Sequence, residues 1–336
     1  MPRTMLLAAL VTAVLFAAAT AVSLFVGARA VDPQTVWQVV TGLPGTGAAT
    51  MDEAVVAARV PRTLTAVLVG AALAVAGAGL QGATRNPLGD PGLLGLTAGA
   101  ALAVVVGLAL APAAGPHAVA AFAVVGALAA GSVVVAAGRL GADSDTGMVL
   151  AGAAVTAGCT ALTSALVVAL PGVLDRFRFW GLGSVARTGM SELGAALPFV
   201  VLGLLMVLLG ASTLDALALG DDLARGLGVG PAAGRAAVLA GVVILSGVAT
   251  ALAGPIAFLG LLVPHVLRRV VGGGHRAVFA LSAFGGPAVV LLADTVGRVI
   301  APPGEVAVGV MTAALGVPFL LALLRRGGLR GAGVPA

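Results

Sequence analysis

An all-α, membrane-embedded bundle is the fold class this sequence predicts, and three observations predict it. Hydrophobic residues fill 60% of the 336 positions and charged residues 9%, with mean hydropathy +1.14, too apolar for a chain that must clothe itself in a polar surface. The apolar residues gather into about ten runs of helical length without period-2 alternation. Backbone groups in hydrocarbon must bond within their own segment or within a closed barrel, so such runs select helices. Glycine numbers 50, a burden in soluble helices but suited to membrane helices that meet by close backbone approach. A GC-rich coding bias would enrich Gly, Ala and Arg as well.

The runs follow in order. The first, 5–28, has one arginine before it and no convincing cleavage site after it, and reads as a retained first helix, with an uncleaved signal as the alternative. A polar stretch, 29–62, leads to the second run, 63–83, entered through Arg59 and Arg62 with Pro61 expected in the first helical turn. The run ends in GATRNPLGDP, where Asn86-Pro87 and Asp90-Pro91 disfavour helix and Gly89 permits a tight bend. Run three, 93–111, carries a small-residue stripe, Gly99, Ala103 and Gly107, at i, i+4, i+8. Runs four and five are 118–137 and 148–170, and a mixed junction, 171–192, leads to run six, 193–212. A polar segment, 213–235, precedes runs seven and eight, 236–252 and 255–271, between which Gly254-Pro255 leaves almost no loop and suggests a broken or re-entrant turn. Runs nine and ten are 278–297 and 306–324.

An even count puts both termini on one side. With the termini inside, inner segments hold Arg3, Arg85, Arg139, Arg225, Arg235, Arg268, Arg269, Arg276, Arg325, Arg326 and Arg330, eleven of the 18 cationic residues, so both termini are expected in the cytoplasm. Two sets of five spans then enter from opposite sides, the arrangement of inverted halves, about 1–170 and 193–324, within one domain covering 1–336. The net charge of +5 does not imply nucleic-acid binding, because the arginines stand singly or in pairs between apolar runs. All 18 cations are arginine, so a nucleotide loop with its phosphate-binding lysine is excluded. Cys159 is alone, which excludes an intramolecular disulfide. His117, His265 and His275 lack a ligand partner at i+3 or i+4, so no metal site is expected.

The carboxylates lie at run ends or in loops. The nearest exception is Asp294, a few residues inside run nine, which reads as a helix-end partner for Arg298 at i+4. Without a chain of intramembrane carboxylates and without a nucleotide loop, the work of uphill transport must come from another subunit. Segment 219–229, LGDDLARGLGV, offers a place for its delivery: Asp221 and Asp222 near a helix start, Arg225 one turn later, Gly226 and Gly228 to end it. An intramembrane hydrolase is a weak rival, since Gly181-Leu182-Gly183-Ser184 only loosely suggests a nucleophile loop and no histidine is placed to serve it. An ion-coupled carrier would share the helix count.

The stretch 59–95, RVPRTLTAVLVGAALAVAGAGLQGATRNPLGDPGLLG, resembles the signature of the FecCD family, permease subunits of bacterial ATP-driven importers for iron-siderophores, haem and cobalamin. Its core, TRNPLGDP, is similar to the family's TRNPLADP through Arg85, Asn86, Pro87, Asp90 and Pro91. GPIAFLGLLVPH at 254–265 and EVAVGVMTAALGVPFL at 305–320 resemble two further family stretches, with Ala257 for the usual glycine and Ala307 for the usual proline.

What the resemblance implies is a permease of the cobalamin-importer type, embedded in the lipid of the bacterial cytoplasmic (inner) membrane. It would work as two copies or with a related permease, beside two ATP-binding cassette ATPases and an extracytoplasmic substrate-binding protein. ATP and Mg would be used by the ATPases, with no cofactor on this chain and no catalysis by it. The segment carrying Leu219, Gly220, Asp221, Asp222, Ala224, Arg225, Leu227 and Gly228 is similar to the family's coupling helices, with DD for the commoner EE. Arg59, Arg62 and Arg298 match arginines that bind acidic residues on the lobes of the binding protein; bidentate arginine–carboxylate pairing makes that chemically sensible. An iron-siderophore is the expected cargo, with haem or cobalamin as alternatives.

Overall fold

The computed structural model describes residues 3–42, 50–92, 94–140, 144–226, 228, 230–272, 274–302 and 304–325. Those residues form helices joined by short turns, with no strand among them. Each of the ten expected runs contains a helix. Seven helical stretches are long and apolar enough to cross a membrane: α1 (Arg3–Phe25), α3 (Met51–Ala83), α5 (Pro116–Leu140), α6 (Ser144–Ala169), α8 (Met190–Leu209) continued by α9 (Ala211–Leu217), α11 (Pro231–Ala253) and α13 (His275–Ile300). α4 (Leu96–Leu110) and α14 (Val308–Arg325) are shorter apolar helices, and α12 (Leu259–Val271) has 13 residues. Three short helices lie in the junctions: α2 (Pro33–Thr41), α7 (Pro171–Gly181) and α10 (Asp221–Gly226).

The second run begins earlier than its hydropathy suggests. Thr50 caps α3, its hydroxyl accepting from Glu53 N while the Glu53 carboxylate accepts from Thr50 N. This reciprocal box satisfies two of the orphan donors of a helix start. Pro61 therefore sits in the interior of a 33-residue helix, not in its first turn. Polar residues of 51–62 masked the helix because they read as loop, yet a helix projecting beyond hydrocarbon needs no apolar face there. At 1.5 Å per residue α3 runs roughly 50 Å, well over a bilayer core of about 30 Å.

α3 is the centre of the bundle. From Val69 to Gln81 it is buried almost all round, against α13, α11, α12 and α8. Its alanines and glycines make that possible. A Cβ on Gly70 would lie 2.6 Å from Pro287 Cα of α13, and one on Gly82 would lie 2.7 Å from His275 Nε2. The expected stripe on α4 packs against α5 in the same way: a Cβ on Gly99 would lie 2.7 Å from Gly126 O, and Gly107 faces the Phe122 ring.

α1 lies at the edge, with Leu6, Leu7, Leu10 and Val14 outward and Phe16 packed edge-on against Phe284 of α13. The Gly254-Pro255 break leaves 254–258 without helix, and Gly254 takes φ +73°. Its freed backbone groups find partners: Ser184 N donates to Ala253 O at 2.6 Å and Thr188 Oγ1 to Leu252 O at 2.8 Å. Non-helical backbone at membrane depth is tolerated where protein encloses it in this way.

Candidate functional sites at the two ends of the bundle

The three arginines expected to meet a binding protein are brought together where α1 ends, α3 passes and α13 ends. Arg59 Nη1 donates to Leu24 O and Phe25 O at 2.9 and 3.1 Å, and its Nη2 to Arg29 O at 2.7 Å. Both terminal nitrogens of Arg298 donate to Ser23 O at 3.1 Å, and Nη2 also reaches Thr295 Oγ1 at 2.9 Å. The last carbonyls of a helix have no partner of their own, so these two guanidiniums complete the end of α1. Both are buried, Arg59 at 5% and Arg298 at 3% exposure.

Arg62 has different partners. It grips Asp294 with two parallel bonds, Nε to Oδ2 at 2.9 Å and Nη2 to Oδ1 at 2.8 Å, and turns Nη1 to the carboxylate of Glu305 at 2.7 Å. Arg298 Nε stands 3.3 Å from the same Asp294, so the expected i,i+4 pair forms beside a second one. Arg62 and Arg298 thus face two carboxylates, of which Glu305 is substantially exposed and Asp294 is not. The Arg62 partners lie 232 and 243 residues away, beyond any local pattern. The carbonyls held by Arg59 carry no sequence signal at all.

At the other end of α3 the helix runs to Ala83, and residues 84–91 of the expected turn, 82–91, lie outside helix. Asn86 Oδ1 accepts from Leu88 N and Asp90 Oδ1 from Gly92 N, two local side-chain turns that set the bend. Gln81 Nε2 ties the turn to α12 through Gly260 O at 3.1 Å. Asp90 is fully enclosed, and burial pushes its carboxyl up from 3.8 to about 6, against the opposing pull of the Gly92 and Leu261 amides. Pro91 is buried beside it, against Gly260. Arg85 adopts φ +49°, a left-handed conformation uncommon for a side-chain-bearing residue. Its Nη2 donates at 2.5 Å both to Leu217 O and to Asp221 Oδ1.

That contact places Arg85 against the segment expected to couple to an ATPase. Gly220, at φ +108°, separates α9 from α10. Asp221 and Asp222 open α10 and Ala224 is buried beneath it, while Leu219, Leu223, Asp222 and Arg225 face outward. Arg225 pairs with Asp222 at 2.6 Å, and Gly228 takes φ +78° beyond the helix. Leu227 lies outside the described residues. Asp215 of α9 meets His275, which opens α13, at 2.6 Å from Nδ1 and 3.1 Å from the backbone N. This pair has no signal in the sequence, because its members lie 60 residues apart and belong to no motif.

An all-helical bundle with broken helices, small-residue packing and charge clusters confined to its two ends is a multi-pass membrane permease. Residues 13–326 match the model of the FecCD transport family, and the chain belongs to that family. It is 40% identical over 310 residues, 92% of each chain, to the ferric enterobactin transport system permease protein FepD of Escherichia coli (strain K12). It is 39% identical over 275 residues, 80% of this chain and 82% of the other, to the hemin transport system permease protein HmuU of Yersinia pestis. Among solved structures, a metal-chelate type ABC transporter in an inward-facing conformation superposes with TM-score 0.80 at 25% identity, over 95% of this chain and 98% of that one. Members of this family are transport subunits, not catalytic ones.

Proposed function

We propose that this chain is the transmembrane permease of an ATP-driven importer that carries a metal chelate, foremost a ferric siderophore, handed over by an extracytoplasmic binding protein. The observation that carries the proposal is the match to a ferric enterobactin permease along 92% of both chains. Haem and cobalamin remain the alternative cargoes, since a hemin permease matches nearly as well over 80% of this chain.

Two copies, or this chain with a related permease, enclose the passage between them. Ten spans in inverted halves, about 1–170 and 193–324, leave both termini in the cytoplasm of a bacterial inner membrane. The segment 213–235 seats an ATPase, whose use of ATP and Mg drives alternating access. Its outward Leu219, Asp222, Leu223 and Arg225 suit a docking surface, while Gly220, Asp221 and Ala224 shape and anchor it. Arg59, Arg62 and Arg298 form the binding-protein seat. In the state described here Arg59 and Arg298 hold α1, so direct pairing of those two with a partner requires an exchange of hydrogen bonds. Arg62, beside the exposed Glu305, is the member best placed for direct contact.

An ion-coupled carrier fits the geometry less well. The carboxylate that the sequence marked as nearest to a span interior, Asp294, is paired with both Arg62 and Arg298. The deciding experiment reconstitutes the permease in proteoliposomes with its partner ATPase and binding protein, and offers radioiron-labelled ferric enterobactin and haemin, and radiocobalt-labelled cobalamin. Uptake of the ferric siderophore that requires both partners and MgATP is expected. Accumulation by the permease alone under an ion gradient would overturn the proposal.

A further inference from the structure

α3 and α13 run antiparallel in direct backbone contact, Gly70 of one against Gly286 and Pro287 of the other. The two helices are tied at two levels. Near the C-terminal end of α13, Arg62 of α3 grips Asp294 of α13. At the opposite end of the pair, roughly 30 Å away along either helix, both reach the same short segment. Arg85, just past α3, bonds Leu217 O and Asp221; His275, first residue of α13, bonds Asp215.

The chemistry of these two contacts is specific. The Arg85 guanidinium straddles the bend at Gly220, holding the last turn of α9 and the first residue of α10 with one nitrogen. Its backbone stays in the left-handed region, a conformation that persists where surrounding contacts enforce it. Asp215 takes both the His275 ring Nδ1 and the His275 backbone N, which is one of the orphan donors of the start of α13. The imidazole lies over Gly82 of α3, where a Cβ would also strike Leu214 of α9, so α3, α9 and α13 meet at one point. Arg235 of α11 stands beside Arg85 as a second guanidinium on Asp221, at 3.8 Å. The outward face of α10 stays clear of all of these.

We infer that Arg85 and His275 are positioning residues of the coupling segment, hanging α9 and α10 from the ends of α3 and α13 so that the segment moves with that helix pair. The inference deepens the proposed ATPase seat and rests on it. The parts of α3 and α13 that bear the arginine cluster are then mechanically continuous with the segment an ATPase would push.

The test uses the full importer, permease with its ATPases and binding protein, in nanodiscs with MgATP as the probe. Arg85→Glu is expected to lower the maximal rate of binding-protein-stimulated hydrolysis at least fivefold while KM for MgATP stays unchanged. Combining it with Asp221→Arg is expected to restore the rate to within twofold of the original. Arg85→Lys, which keeps the charge, should lose less than Arg85→Glu. Unchanged hydrolysis in Arg85→Glu overturns the inference, and so does a double variant no better than the single ones; where the single variant fails to assemble, recovery or non-recovery in the double variant decides. Leu223→Glu on the outward face separates this inference from the seat beneath it. If Leu223→Glu leaves the ATPases copurifying and active, the seat itself is wrong; if it detaches them while Arg85→Glu does nothing, only the positioning role falls.

Discussion

Asp90 shows at the scale of one residue how a motif position can work against stability. Its carboxyl is enclosed without a cation, and its folded value of about 6 lies above the ordinary 3.8. The folded protein therefore holds the proton more tightly than the unfolded chain, so this group favours folding most below pH ~4, and that advantage drains away as pH rises to about 6. The charged form then costs about 3 kcal/mol at neutral pH. Asp90→Asn keeps an acceptor for Gly92 N and removes the charge. Thermal unfolding in detergent should place the variant above the parent at pH 7, with the difference closing by pH 4; a constant difference across that range would contradict the burial argument. Arg59 makes the converse case, a charge that earns its burial through two carbonyls at the end of α1 and a third, Arg29 O, just beyond it. Arg59→Met should destabilise by about 2–4 kcal/mol, because charged hydrogen bonds are lost and buried carbonyls are orphaned. Faster amide exchange over residues 24–29 would report it. The sequence marked Arg59, Arg62, Arg85 and Arg298 as special but disclosed few of their partners, since carbonyl oxygens and distant carboxylates leave no trace in local spacing.

Elements here are selected by apolar runs and placed by glycine. Among the described residues each run of helical length holds a helix, with most ends within a few residues, and the exception is instructive. α3 starts at Met51 because the Thr50–Glu53 box caps it, a signal carried by T-M-D-E that hydropathy does not contain. Gly77 faces Gly260 across the α3–α12 contact, with no room for a methyl group. Gly77→Ala should cost about 1–3 kcal/mol by forcing two backbones apart. Gly158→Ala, with open space at its Cβ, should shift the melting temperature little. Equal effects of the two would remove close approach as the principle that assembles this bundle. Abundance of glycine was legible; which glycines touch backbone was not, because that depends on how helices cross.

At the scale of the whole molecule, two charged ends are separated by an apolar body whose outward leucines and valines, as on α1 and α8, face lipid or a partner. An exposed apolar surface of that extent is stable only when covered. The proposed binding-protein seat predicts that Arg62→Gln, the most accessible of the three arginines, weakens binding-protein affinity about tenfold, equivalent to 1.4 kcal/mol. Reversing Arg59, Arg62 and Arg298 together should abolish it, and unchanged affinity in surface-binding measurements would exclude this end as the seat. By itself the sequence determined the solvent, the helical class and the family, because composition, run length and short motifs are local properties that survive without coordinates. Only the tertiary structure decided that two of the three arginines complete α1, that Arg62 bridges to Asp294 and Glu305, and that Arg85 and His275 grasp one segment. Those contacts join residues far apart in the chain, and their geometry arises from helix packing, which no single stretch of sequence contains.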